Sequence, residues 1–506
     1  MNLALPIAAE HERKLILLFC AIAALRVLIF SAAFPFFNNV DEQAHVDLVM
    51  KYARGEVPRD LGHYSSESTH YLSLYGTPEY FRTPEQFNTG RFPPAKWTLP
   101  AEQREELINR ISAWWQTNQN HESGEPPLYY AVAGLWLDLG RLFGITGGWL
   151  LYWVRFLNVV AGAVLVWIGF VAAKLVFAEG HFIRVSVPLL LAIWPQTTFY
   201  SIASDSLSPI CFGIAFIGLL KILRADRSSL PVAMWTGLAL AASCLAKTTN
   251  IALLLVAGLV LIFKIINFRA SKTMPRLLAS FAVLAASAAL PVALWFGWNL
   301  HTFGDLTATE SKIELLGWTR KPIGDWFSHP IFTFHGVGEF WPELIASFWR
   351  GEFIWHGVRL ASPVMDGFYW ISSTFAILLA VICLIWQPAK LTACQRRDLW
   401  LALSSFAALV LFLVALSIAF DFGPCVYPSR EHPYFTSGRL LSAAAVPFFL
   451  FYAYALDRVL SWIPPVWPRW ILLTGIVLFL AVSQCVLNWP AFFSQYNFFH
   501  LHEALS

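Results

Sequence analysis

The stretch DEQAH, Asp41 to His45, sets two carboxylates and an imidazole directly behind an apolar run that extends from Leu15 to Phe37. Asp41 and His45 stand four residues apart, so on a helix they share one face. Such a pair can hold a divalent metal ion, or the carboxylate can take a proton from a substrate hydroxyl with the imidazole beside it. Glu42 also has a purely local reading. With Asn39 as the helix cap it completes a capping box, and Gly55 would end that helix. A second polar segment, NHESGEPPLYY, carries His121, Glu122 and Glu125 immediately before Pro126 and Pro127. Three more charges stand at the ends of apolar runs: Asp205 in SIASDSLS, Lys247 in CLAKTTN and Arg439 in TSGRLLS. Charges at membrane depth are costly and face polar cavities, although a cation at a span end can instead snorkel to lipid headgroups. Converging on one face, these carboxylates and cations describe a site for an anionic, oxygen-rich ligand.

The chain that must position them has 506 residues, 57% hydrophobic and only 13% charged, with mean hydropathy +0.56. Soluble domains carry about 25% charged residues. Apolar runs on the scale of a bilayer crossing, about 17 to 25 residues, recur at 15–37, 149–173, 185–203, 206–223, 232–246, 249–268, 278–299, 366–386, 399–420, 438–456 and 470–488. They predict an all-α polytopic membrane protein with about eleven transmembrane helices in a single domain over 1–506. HERK before the first run, without a small-residue cleavage site, reads as a signal anchor. The seven cysteines fall mostly inside apolar runs and form neither a disulfide framework nor a CxxC pair.

Lysine and arginine in short loops mark the cytoplasmic side. Arg13 and Lys14 precede the first run, so DEQAH is expected outside. The basic loops around Lys174 and Arg184, Lys221 to Arg227, Lys264 to Arg276, Lys390 to Arg397, and Arg458 and Arg469 are then all cytoplasmic, provided 126–144 does not cross. That segment, with Trp136, Asp138 and Arg141, is expected to lie as a helix along the outer interface. Two long segments stay outside: 38–148, holding interfacial helices, and the aromatic-rich 300–365, capping the site.

DEQAH (41–45), EPPLYY (125–130), SDSLS (204–208), LAKTTN (245–250), WNLHTFGD (298–305) and SGRLLSAAAVP (437–447) follow one another over most of the chain. In that order they resemble the GT-C superfamily of membrane glycosyltransferases, particularly bacterial members related to protein mannosyltransferases and the lipid A aminoarabinose transferase. DExxH with a downstream PPLYY and a late Gly-Arg-Leu-Leu also resembles a family of bacterial predicted membrane proteins. The resemblance implies that Asp41 is the catalytic base with Glu42 and Asp205 as its catalytic companions, and that Glu42, Asp205 and Glu125 bind a metal or orient the acceptor. It also implies that Arg439 holds the donor phosphate. Two departures alter the donor contacts. Glu125 stands where the aminoarabinose transferases have a lysine, and Leu440 where a tyrosine is usual, so Lys247 or Arg155 is expected to supply positive charge. The implied donor is a polyprenyl-phosphate-linked sugar, presented at the outer face of the cytoplasmic membrane to a lipid, glycan or protein acceptor.

These residue types suit that chemistry. The departing phosphate needs a cation, and the acceptor hydroxyl needs a carboxylate within reach. Asp41, His45, His121 and Glu125 are the candidate ligands of a divalent cation, Mn or Zn for a mixed oxygen and imidazole set and Mg for carboxylates alone. Two other classes compete: a transporter or flippase of lipid-linked sugars, and a non-catalytic envelope assembly subunit. The first would set its charges in broken helices near mid-membrane and show related halves, and no repeat is visible. The second would lack a catalytic acid, whereas Asp41 is present. Composition excludes a soluble nucleotide-sugar transferase, no Walker-type loop occurs, and no nucleic-acid partner is expected.

Overall fold

The computed structural model describes residues 4–39, 41–268, 274–386, 391–425, 427–461, 463 and 467–501. Apolar runs become helices because a lipid-embedded backbone must satisfy its own hydrogen bonds. After α1 (Ala4–Ala33) come α2 (Glu42–Ala53), α3 (Ser66–Tyr75), α4 (Ala101–Gln116) and α5 (Leu128–Leu142). Six apolar helices follow: α6 (Gly147–Val176), α7 (His181–Ile193), α8 (Ser208–Arg224), α9 (Leu230–Ala246), α10 (Ala252–Phe268) and α11 (Met274–Phe303). The 300–365 segment holds α12 (Thr309–Leu316), α13 (Ile323–Trp326) and α14 (Phe334–Arg350). The chain closes with α15 (Pro363–Trp386), α16 (Ala393–Ala419), α17 (Gly438–Leu441), α18 (Ala445–Val459) and α19 (Trp467–Phe492).

Among the described residues, nine helices are long and apolar enough to cross a membrane. The two other expected spans are shorter, α7 at 13 residues and α9 at 17. The run 185–203 does not continue as one helix. Trp194 turns extended (ψ 116°) ahead of Pro195, as a residue before proline tends to, and Thr197–Tyr200 forms a 3-10 turn instead. The Gly438–Val459 span is the most enclosed of the nine, at 89% buried, with α6, α7, α8, α15, α16 and α19 packed around α18.

The described basic loops gather at one end of this bundle. There Arg184 Nε donates to Glu12 at 2.7 Å, Arg224 Nε to Asp398 at 2.6 Å and Arg469 Nη1 to Asp457 at 2.9 Å. Arg269, Lys272 and Lys390 lie outside the described residues. At the other end, α5 has 15 residues, about 22 Å of helix, against the roughly 30 Å of a bilayer core. It packs against α2, α6 and α9. Trp136 of α5 stacks on Trp153 of α6 at 4.5 Å, and each indole N–H donates to the other residue's carbonyl at 2.7 Å.

Candidate functional site

The helix cap differs from the capping-box reading. Asp41, not Asn39, is the cap of α2. Its backbone is left-handed (φ 64°), which aspartate tolerates better than most residues, and its side chain makes no capping bond. The Asp41 carboxylate is therefore available to other partners. Glu42 goes the opposite way. It accepts from Phe37 N at 2.8 Å and Ile202 N at 2.9 Å, and pairs with Arg155 through Nε at 2.8 Å and Nη2 at 2.7 Å. Arg155 also donates to the Phe34 and Pro35 carbonyls beyond the end of α1, groups the helix itself leaves unsatisfied. Both side chains are at most 1% exposed. Saturated and closed off, they join α1, α2 and α6, which corrects the expectations that Glu42 is catalytic and that Arg155 meets the donor phosphate.

Asp47, one turn beyond Ala44, fixes the second motif against the first. Its carboxylate accepts from Ser65 N, Ser68 Oγ and Asn120 Nδ2 at 2.6 to 2.8 Å and pairs with Lys51 at 2.7 Å. Asn120 also donates to the Ala44 carbonyl, and its Oδ1 receives Glu122 N at 2.9 Å. This clamp brings His121 and Glu122 beside Asp41. From the far side comes Arg439. Gly438 permits that approach, since a Cβ there would overlap the backbone of Ser347 and Phe348 in α14.

The assembled groups line a cavity of about 290 Å³. Arg439 Nη2 donates to Asp41 Oδ2 at 2.6 Å, while His121 Nε2 lies 3.2 Å from Asp41 Oδ1 and 3.3 Å from Glu122 Oε1. Lys312 Nζ donates to Glu122 at 2.8 Å and lies 3.5 Å from Glu125, whose other oxygen is 3.2 Å from Lys247. Glu352, 3.7 Å from Arg439 Nε, adds a fourth carboxylate. Beyond this charged end the wall is apolar: Leu316 and Trp318 with Phe412 and Leu416 of α16, Phe420 and Phe435.

Two expected site residues stand behind the cavity rather than in it. Asp205 is 1% exposed and 3.8 Å from Lys247, with no hydrogen bond to either carboxylate oxygen. A place as catalytic acid is therefore corrected to one behind Lys247. His45 turns its Nδ1 to Tyr130 Oη at 2.8 Å, and burial lowers its pKa to about 4. It does not join Asp41 in a metal cluster, because its ring packs on Tyr130 of α5 while Asp41, as the left-handed cap outside the helix, turns to the cavity. Lys312 and Glu352 escaped the sequence reading. The spacing of Thr309, Lys312, Ile313 and Leu316 at i, i+3, i+4 and i+7 was the available signal for Lys312, since all four line the cavity. For Glu352 the signal was a lone carboxylate in the aromatic run FWRGEFIW.

Charge coupling sets the protonation of the site. Burial alone would raise the pKa of Asp41, but Arg439 and then His121 hold it well below the usual carboxylate range. Burial would lower that of His121, yet Asp41 and Glu122 raise it to about 9. Asp41, His121 and Glu122 each offer one ligand atom within 4.8 Å of the others, and Glu122 keeps a buried oxygen, Oε2, with no hydrogen-bond partner. This mixed set fits a divalent ion such as Mn or Zn, with Glu122 in place of the expected His45 and Glu125. Such an ion would add positive charge at the charged end of the cavity.

The helices and the cavity define a multi-pass α-helical membrane protein with a charged, partly apolar pocket at one end of its bundle. Residues 25–425 match the family of predicted membrane proteins DUF2142, and the chain belongs to that family. No curated protein matches it.

Proposed function

We propose that this protein is a membrane glycosyltransferase of the GT-C type. It moves a sugar from a polyprenyl-phosphate carrier to a lipid, glycan or protein acceptor at the outer face of the cytoplasmic membrane. One observation carries the reading: a single cavity joins paired carboxylates and cations to an apolar wall built from a membrane span. That division suits an amphiphile with a phosphate. Phe412 is shared with a groove between α10 and α16, lined by Ala252, Leu255, Leu259, Ala408 and Leu411, which offers a prenyl chain a route into lipid.

The acceptor oxygen bonds to the sugar C1 as the C1–O bond to phosphate breaks, and the bonding pair leaves on the phosphate oxygen. The acceptor proton passes to Asp41. Arg439 links the two events. Its guanidinium holds Asp41 weakly basic, and a donor phosphate that draws the guanidinium to itself raises the proton affinity of Asp41 as the acceptor binds. Lys247 and Lys312 add charge at the same end. Purified protein offered a panel of polyprenyl-phosphate sugars should consume one of them in the presence of an acceptor. Use of a nucleotide sugar without a lipid carrier would overturn the assignment, and translocation of intact lipid would favour a transporter.

A further inference from the structure

α8 begins beside Asp205 and ends 17 residues later at a second cavity, about 25 Å away at 1.5 Å per residue. This cavity, about 230 Å³, lies where the ends of α8, α9, α10 and α11 meet. Its lining is divided. Lys221, Arg227 and Lys264 bring three cations against the one carboxylate of Asp226, while Val232, Leu277 and Phe281 form an apolar wall. Lys264 is 4% exposed, and its Nζ donates at 2.6 Å to the Ala225 carbonyl, which seats a buried ammonium against the turn that carries Asp226 and Arg227.

Three other cations at this end of the bundle are matched by acids: Arg184 by Glu12, Arg224 by Asp398 and Arg469 by Asp457. Lys221 and Arg227 have no carboxylate within 4 Å among the described residues. An excess of positive charge facing an apolar wall, at the end of membrane helices, matches a phosphodiester whose apolar part stays in lipid. Basic pockets between transmembrane helices recognise anionic headgroups in this way. We propose that the cavity holds the phosphate of an anionic phospholipid in the leaflet opposite the Asp41 site. The proposal is independent of the glycosyltransferase reading.

The test uses the full-length protein, stripped of lipid in neutral detergent and titrated with phosphatidylglycerol, phosphatidylcholine or glycerol 3-phosphate. Native mass spectrometry counts retained lipid, and thermal melting reads protection. Phosphatidylglycerol should be retained and protective, and the other two should not. Lys221→Gln with Arg227→Gln should weaken retention about 5-fold per charge removed, or about 25-fold together. Both residues are exposed, so melting without lipid should not move. Asp226→Asn should tighten binding, a gain that misfolding cannot mimic. Equal retention by wild type and the double variant, or no preference for phosphatidylglycerol over phosphatidylcholine, would overturn the site. Equal protection by glycerol 3-phosphate would overturn the lipid as its occupant.

Discussion

Asp41 and Glu42 are neighbours in the chain, and each meets an arginine from a distant helix, yet the two pairs are built for different ends. Glu42 receives two guanidinium N–H groups and two backbone N–H groups and is sealed from solvent. Asp41 receives one guanidinium N–H, faces a histidine and opens on a cavity. A carboxylate with every acceptor position filled can only hold the structure together. One whose partner can be drawn away by an incoming anion can change its proton affinity. The adjacent acids of DEQAH thus divide into one sealed within the structure and one open to the cavity, and local sequence does not tell them apart.

The sharpest way to break this division is to neutralise each acid with minimal change of shape. Asp41→Asn should lower glycosyl transfer by about 10²- to 10⁴-fold, the range expected for loss of a general base, with a smaller fall in melting temperature than Glu42→Gln because its partners stand at an open cavity. Glu42→Gln should do the reverse. It leaves Arg155 buried beside a neutral partner, at a cost of about 3–5 kcal/mol, so folded yield and melting temperature should fall sharply. Any protein recovered should keep its transfer rate per folded molecule. Arg439→Lys comes next: the point charge survives while the planar fork is lost, so donor KM should rise by roughly 10-fold, about 1.4 kcal/mol, with acceptor KM less affected.

A smaller effect tests the charge coupling around Asp41. The pKa of folded His121 is raised from 6.5 to about 9. Its contribution to stability is therefore complete below pH 6.5 and lost as pH rises through about 9. Melting temperature measured across that window should decline, and His121→Gln should flatten the decline. Lys312→Gln removes a part-exposed partner of Glu122 and Glu125. It should cost at most about 1 kcal/mol in stability while weakening donor binding measurably.

Much of the bundle was legible as apolar runs, because a span declares itself by length and composition alone. The short helix α5 was legible too, as an apolar stretch that starts behind Pro126 and Pro127 and ends before Gly144. The partnership of Arg155 was half legible. A lone arginine in WVRFLN must be compensated, but the sequence does not say that Glu42, 113 residues away, compensates it. The break after Ile193 was signalled by Pro195, yet the continuous apolar run outweighed it. Lys312 and Glu352 were hidden because their role depends on how the 300–365 segment folds back. There Ala308 packs on Gly124, where a Cβ would collide, and β1 (Thr319–Arg320) pairs with the strand at Phe420–Asp421. Such contacts between distant segments have no local signature.

The most direct test of the division between the two acids follows phosphate release rather than sugar uptake. Wild type, Asp41→Asn and Glu42→Gln would be incubated with a polyprenyl-phosphate sugar and acceptor, and free polyprenyl phosphate followed by phosphorus NMR, normalised to folded protein. Release by wild type and by the folded fraction of Glu42→Gln, with none above background from Asp41→Asn, is the predicted result. Equal release by Asp41→Asn and wild type would contradict it.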